Sequence, residues 1–426
     1  MSFRSFKKDV IVWCGVSFAL GIFLTLGGHA FLASSSPSAH NISVASQSAA
    51  SPDSGDLPLT GTKGPWGTLE YERIPLQNPE EVFGDKESRL KPTRWVFENY
   101  SAQQLSELLQ TCELTAAQRA ALINTNHWQA LTNASGYVIS PSDEVVLGLS
   151  RSARGRLYPA LAKSQQNYPQ CWPTRFPLEG FNEEFADSVL SADRIEMLKN
   201  LTYTNQGYLC LCVDRPFLES IPTNEFQGVI RRIYSVPTCI MRLRVKEDSD
   251  IDGLLKYWGK GGREKAIRPL LESLARKPNG GSINVSYFFP PFARMRLYTY
   301  PDITVDPQVV KEDCFYTALN FFKTQPDARY MDNTVTSKTL REEYHKVPAP
   351  PVFGDLITLI DAAGNGIHTC VYIADGVVFT KNGSNYLQPW VMMKFADMMT
   401  FFPSDEPPRM IIFRRNSEEG SIAQKL

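Results

Sequence analysis

Two residues of this chain are of the right types, and in the right surroundings, for covalent chemistry. Cys314 opens the stretch Asp313-Cys314-Phe315-Tyr316-Thr317-Ala318-Leu319-Asn320-Phe321-Phe322, and His368 follows 54 residues later inside a strand-like run. A thiol becomes a useful nucleophile when a helix start lowers its pKa and an imidazole on a neighbouring element takes its proton. Covalent catalysis through a thioester, ending in hydrolysis or in acyl transfer, is the chemistry open to such a pair, and it requires no metal or organic cofactor.

The elements around the pair follow from periodicity. Phe315, Ala318, Leu319 and Phe322 recur at helical spacing and form one apolar stripe, with Asp313 as the N-cap. Cys314 then sits in the first turn, where unpaired N–H groups favour a thiolate and its own N–H can donate to an oxyanion. Gly354-Asp355-Leu356 enters an apolar strand, Asp361–Gly366 turns, and Ile367–Ile373 returns as a hairpin. Strand alternation puts His368, Cys370 and Tyr372 on one face, and that face is expected to receive the Cys314 helix.

The third position depends on the turn Ala374-Asp375-Gly376. A three-residue loop pairs 373 with 377 and sets Asn382 opposite His368. A two-residue Asp-Gly turn instead brings Lys381 toward that face. Asn382 suits the chemistry, because its side-chain oxygen accepts an imidazole N–H and fixes the tautomer. Thr380 is the same-face substitute.

These residues resemble a family. Asp313-Cys314 opening a helix, Gly354-Asp355-Leu356 entering a strand, and His368-x-x-Val371-Tyr372-Ile373 before an Asp-Gly turn are similar to the NlpC-type papain-like cysteine peptidases of bacterial cell walls. The resemblance covers residues 306–415. It implies a compact α+β fold with the nucleophile helix packed on an antiparallel sheet, and hydrolysis of amide bonds in peptidoglycan stem peptides. Two departures stand out: Phe315-Tyr316 replaces the small pair that follows the family's cysteine, and the family's third polar residue falls near Thr380. Gln308 or Tyr300 is the candidate for completing an oxyanion hole. Cys370, on the face of His368, is a core cysteine or an oxidative cap for Cys314.

The rest of the chain supplies context. With 43% hydrophobic and 21% charged residues it has the makeup of a folded protein long enough for more than one core. Its net charge of -1, with basic residues scattered, argues against nucleic acid as a partner. Residues 1–9 carry Arg4, Lys7 and Lys8 as a cytoplasmic basic flank. Residues 10–33 then form an apolar run that is longer than the h-region of about 7–15 residues of a cleaved signal, so an uncleaved transmembrane anchor is preferred. The basic flank orients the bulk of the chain outside the cytoplasm, or secreted if the segment is cleaved, and the family resemblance implies that this is a bacterial envelope. Residues 34–66, rich in Ser, Pro and Ala, read as a tether with a mean span of roughly 30 Å.

Residues 67–305 read as mainly helical with a few strands, with Ser101 capping Ala102–Cys112 and Thr115 capping Ala116–Ile123. Ser282–Tyr300 reads as one or two strands broken at Pro290-Pro291. The papain-like unit follows over 306–415, and 416–426 is a polar tail. Cys210 and Cys212 have no histidine companion, which argues against zinc. His127 and His345 read as packed or surface histidines.

Overall fold

The computed structural model describes residues 59–132, 134–186, 190–302, 312–384, 387–404 and 406–416. The expected anchor at 10–33, its flank, most of the tether, Gln308 and the tail beyond 416 lie outside the described residues. No helix among the described residues is long and apolar enough to cross a membrane.

The architecture is α+β with antiparallel sheets. The first sheet is organised by one long ladder. Strand β1 (Thr68–Leu76) pairs with β2 (Val236–Val245) from Thr68↔Arg244 to Leu76↔Val236. β3 (Gly281–Asn284) adds to the far edge of β2, and Leu59–Thr60 adds to β1. Along β2, Met241, Leu243 and Val245 are buried while Arg242 and Arg244 are turned outward, which is the period-two pattern of a sheet with one dry face. Helices α1 (Ile251–Trp258) and α2 (Glu264–Ala275) contribute Leu254, Leu255, Trp258, Ile267 and Leu271 to the core on that face.

The second sheet has six antiparallel strands in the order β4 (Tyr344–Val347), β9 (Arg409–Arg415), β5 (Leu356–Ile360), β6 (Gly366–Ala374), β7 (Val377–Lys381) and β8 (Trp390–Lys394). Both of its faces are dry at the centre, so β5 and β7 are buried throughout and show no alternation. Helix α3 (Cys314–Asn320) packs on one face, against Val371, Ile373, Val377 and Phe379. Helix α4 (Asn333–Glu343) precedes β4 and adds Leu340 to the same core. The opposite face presents Ile357, Leu359, Cys370, Tyr372, Val378, Val391 and Met393, and is covered by α5 (Phe395–Met399) with Phe401 and Phe402.

The division drawn at 305/306 is not a division of the core. Leu69, Met241, Leu243, Trp258 and Phe289 share one hydrophobic cluster with Tyr316, Phe321, Phe353 and Phe379. Phe289 and Phe321 both pack on Phe379, with ring centroids 6.0 and 5.5 Å away. Burial of about 150–250 Å2 for each such ring makes this a strong joint between the two sheets.

Residues 82–235 form two further cores around short strands and helices. Both capping boxes form: Ser101 and Thr115 accept from Gln104 and Gln118, whose side chains reach back to the cap N–H groups. Helix outweighs strand in this region, and its short strands form two three-stranded sheets within residues 95–139 and 174–211. Ser282–Tyr300 also departs from expectation. Asn284 caps a 3-10 turn at Val285–Phe288, and Pro291 opens a short helix to Arg296, a position where the missing proline N–H costs nothing.

Candidate active site

Asp313 Oδ1 accepts from the N–H of Tyr316 at 2.8 Å, which starts α3 and places Cys314 in its first turn. The N–H groups of Thr369 and Phe315 are directed at the sulfur and favour a thiolate, but burial outweighs them and pushes the thiol well up, with the Asp313 carboxylate adding to the rise. Cys314 rests as a neutral thiol. The apolar stripe expected for this helix is too narrow a description, since Tyr316, Thr317 and Asn320 are buried along with Ala318 and Leu319.

The hairpin carrying His368 turns at Asp375 and Gly376, both with positive φ (47° and 71°), so the loop has two residues and Ala374 pairs with Val377. A bulge at Ile373 then shifts the register, giving Tyr372↔Val378 and Val371↔Phe379. Continued to the strand ends, that register sets His368 level with Asn382. The expected pairing level is reached by a short turn plus a bulge, not by a three-residue loop.

His368 is fully buried. Its Nε2 lies 3.0 Å from Thr380 Oγ1, and Thr380 Oγ1 donates to Asn382 Oδ1 at 3.2 Å. Asn382 therefore acts one bond further out than expected, and Thr380 is the direct partner. The chain of bonds also fixes the tautomer. When the Thr380 hydroxyl donates to Asn382, its oxygen accepts from His368, which puts the imidazole proton on Nε2 and leaves Nδ1 a bare lone pair. Nδ1 has no hydrogen-bond partner. The ring stacks on Phe402 at 4.2 Å, and burial lowers its pKa to about 3.

The structure does not bring Cys314 and His368 into a hydrogen bond. Helix α3 lies on the Val371 and Ile373 face of β6, whereas His368 projects to the other face with Cys370 and Tyr372. The reason is hydrophobic matching: the helix needs aliphatic and aromatic partners, and these are Val371, Ile373, Val377 and Phe379. The thiol and the imidazole thus approach one strand from different sides, at neighbouring residues, since the Thr369 N–H that points at the sulfur is next in sequence to His368.

Lys381 occupies the helix side. It pairs in register with Trp390, its Nζ donates to the Gly383 carbonyl at 2.6 Å, and it lies 5.6 Å from the Trp390 ring centre. Trp390 Nε1 donates to Thr317 Oγ1 of α3 at 2.9 Å. Burial lowers Lys381 to about 7, opposed by the nearby Asp313 and Glu312 carboxylates. The two-residue Asp-Gly turn alone would bring Lys381 to the His368 face, but alternation on β7, with Thr380 facing His368, sends it to the other.

The remaining candidates are placed elsewhere. Tyr300 Oη donates to the Leu76 carbonyl at 3.4 Å, away from Cys314. Cys370 Sγ turns toward the Ile357 carbonyl at 3.7 Å, on the face opposite α3. Cys112, Cys171, Cys210, Cys212, Cys239, Cys314 and Cys370 are all free. Two surface grooves, of about 520 and 420 Å3, lie around Tyr100 and Lys163 and between Arg263 and Arg294, neither of them at Cys314. Compared with protein-family models, curated proteins and solved structures, the chain matches none.

Proposed function

We propose that the chain is an exported, membrane-tethered cysteine hydrolase of papain-like type, acting on amide bonds of the kind found in cell-wall stem peptides, and that the form described here is its closed, uncharged state. The observation that carries this reading is the imidazole of His368. Its proton is held at Nε2 by Thr380, and its Nδ1 is an unpaired acceptor in a dry interior, beside the strand position that contacts Cys314. Leaving such an atom unpaired costs about 1–3 kcal/mol.

In the working form, His368 Nδ1 takes the proton of the Cys314 thiol and the resulting thiolate attacks the amide carbonyl. The Cys314 N–H at the start of α3 donates to the developing oxyanion, and His368 Nδ1 relays a proton to the departing amine. Water then resolves the thioester, giving up a proton to Nδ1 and regenerating the thiol. Asn382 and Thr380 hold the relay in the tautomer that this requires. The apolar run at 10–33 and the Ser, Pro and Ala segment after it support the tether, and a coil of that length frees the catalytic unit to work roughly 30 Å from the bilayer.

A second reading, a binding or scaffold protein without activity, is favoured by the sealing of His368 under Phe402 and by the upward push on the Cys314 thiol. Release of free amine from stem-peptide amides by the purified full chain separates the two. The hydrolase reading expects turnover that falls at least about 100-fold in both Cys314→Ala and His368→Ala. Turnover that is absent, or that survives both substitutions, leaves the scaffold.

A further inference from the structure

We propose that the groove between Arg263 and Arg294 is a binding site for a phosphate monoester that carries an apolar or aromatic substituent. The inference is independent of the hydrolase reading, because the groove does not lie at Cys314.

A local turn builds one wall. Helix α1 ends at Gly259, whose carbonyl accepts from the Arg263 N–H at 2.8 Å, and Gly261 and Gly262 between them adopt positive φ (76° and 77°). The Arg263 side chain crosses to the 3-10 turn Val285–Phe288, where its two terminal nitrogens donate to the carbonyls of Phe288 and Tyr287. Those oxygens hold the guanidinium in place but bring no net charge to offset it.

Arg294 builds the other wall. It belongs to the short helix Pro291–Arg296, and its guanidinium lies over the Tyr287 ring, 4.8 Å from the centroid. Stacking of this kind orients a planar guanidinium and leaves its N–H edge open to a ligand. Both arginines are thus tied to Tyr287, one through its carbonyl and one through its ring. They line the same space of about 420 Å3, together with Phe289, Pro291 and Met295.

Charge sets this pair apart from its neighbours. Arg268 is paired with Asp252 at 2.7 Å and Arg296 with Glu312 at 2.9 Å, whereas among the described residues no carboxylate pairs with Arg263 or Arg294. Burial and the Arg294 charge both push Arg263 down from its ordinary value, with no acid acting the other way. An anion between two such cations removes their repulsion. A carboxylate balances one of them. A phosphate monoester, with a second pKa of about 6, is a dianion near neutral pH and balances both, and its three oxygens suit two guanidinium forks.

The rest of the groove is apolar. Phe289 forms its floor, fully buried and packed on Phe321 and Phe379 with ring centroids 5.6 and 6.0 Å away. Met295 at the rim is 78% exposed and Tyr287 is 51% exposed, which leaves open surface for a substituent to cover. Sites for small organic ligands span about 300–1,000 Å3, so the groove has room for a phosphate and one such group. A soluble ester and the headgroup of a phospholipid share this chemistry.

The test is isothermal titration calorimetry of the purified full chain in a nonionic detergent near neutral pH. The probes are phenyl phosphate, dihexanoyl phosphatidate below its micelle concentration, inorganic phosphate and benzoate. The proposal expects at least one ester to bind with a Kd of about 1 mM or tighter, and at least about tenfold tighter than inorganic phosphate or benzoate. The tighter ester names the source as soluble or lipid. Arg294→Met, a change at an exposed side chain, should weaken that ester about tenfold or more with an unchanged thermal melt, and Arg294→Lys should fall between it and wild type. Arg263→Met should weaken it as much; if loss of the Tyr287 and Phe288 contacts unfolds that variant, the two Arg294 variants decide. Silence from both esters, binding unchanged in Arg294→Met, or benzoate binding as tightly as the esters overturns the proposal. Inorganic phosphate as tight as the esters overturns it as well, because the apolar half of the groove then contributes nothing. None of these results bears on the hydrolase reading, whose variants are at Cys314 and His368.

Discussion

Thr380 Oγ1 stands 3.0 Å from His368 Nε2 and passes its own proton to Asn382, so one threonine both fixes the imidazole tautomer and links two strands of the sheet. Everything proposed for His368 depends on that hydroxyl. Replacing it should be costly in a way that identifies its role. Thr380→Val keeps the shape but strands the Nε2 proton and the Asn382 oxygen, and should lower stability by about 1–3 kcal/mol in urea unfolding. Thr380→Ser, which retains the hydroxyl, should lose less than half of that.

Acid should weaken the fold through His368. Its pKa falls from 6.5 to about 3 on burial, so between those values the unfolded chain binds the proton more readily than the folded one. The stability attached to neutral His368 is fully present above pH 6.5 and is lost as pH falls through the window to 3, by up to about 1.4 kcal/mol per pH unit. His368→Leu should flatten this part of the pH-stability curve. A slope unchanged in the leucine variant would assign the acid sensitivity to other groups.

Asp214 should act with the opposite sign. It is fully buried against Tyr158, whose hydroxyl donates to it at 2.7 Å, and burial raises its pKa from 3.8 to about 6. The folded state therefore holds this proton where the unfolded state has lost it, and stability is lost as pH rises through 3.8 toward 6. Asp214→Asn retains an acceptor for Tyr158 and avoids the buried charge. At pH 8 it should be more stable than wild type by about 1–3 kcal/mol in thermal or urea unfolding, with the advantage shrinking below pH 4.

The Gly354-Asp355 pair, part of the resemblance to the cell-wall peptidases, has a structural account. Gly354 adopts φ 85°, and a Cβ there would come within 2.4 Å of Phe322 Cζ. Asp355 is buried, accepts from the Val352 N–H at 2.9 Å and is gripped by two nitrogens of Arg414 at 2.8 and 2.7 Å. Gly354→Ala and Asp355→Ala should each cost about 2–4 kcal/mol by urea unfolding, the first through strain and the second through partners left unpaired. Asp355→Asn should cost less, because it can keep the Val352 bond.

Legibility in the sequence tracks the range of the interaction. Local signals were readable: Asp313 caps α3, Ser101 and Thr115 build their capping boxes, and the hairpin forms where Asp-Gly turns. The level of His368 against Asn382 was also readable, although through the wrong loop, because a bulge at Ile373 has no residue signature of its own. What the sequence hides is which face a helix chooses. That choice is made by Val371, Ile373 and Phe379 together with Phe289 and Phe353, residues far apart in the chain. Phe402 over His368, and the pairing of β1 with β2, are hidden for the same reason. Lys381 was visible as a residue but not as a neighbour of the Trp390 ring that bonds to α3.

The most direct test of the account is the protonation of His368 in solution, read from its ring 15N shifts in two-bond 1H–15N spectra and assigned by comparison with His368→Ala. The account predicts a ring that stays neutral down to about pH 4, with the proton on Nε2 and Nδ1 bare. A proton on Nδ1, or a ring that titrates near its ordinary value of 6.5, would contradict it and remove the base from the proposed mechanism.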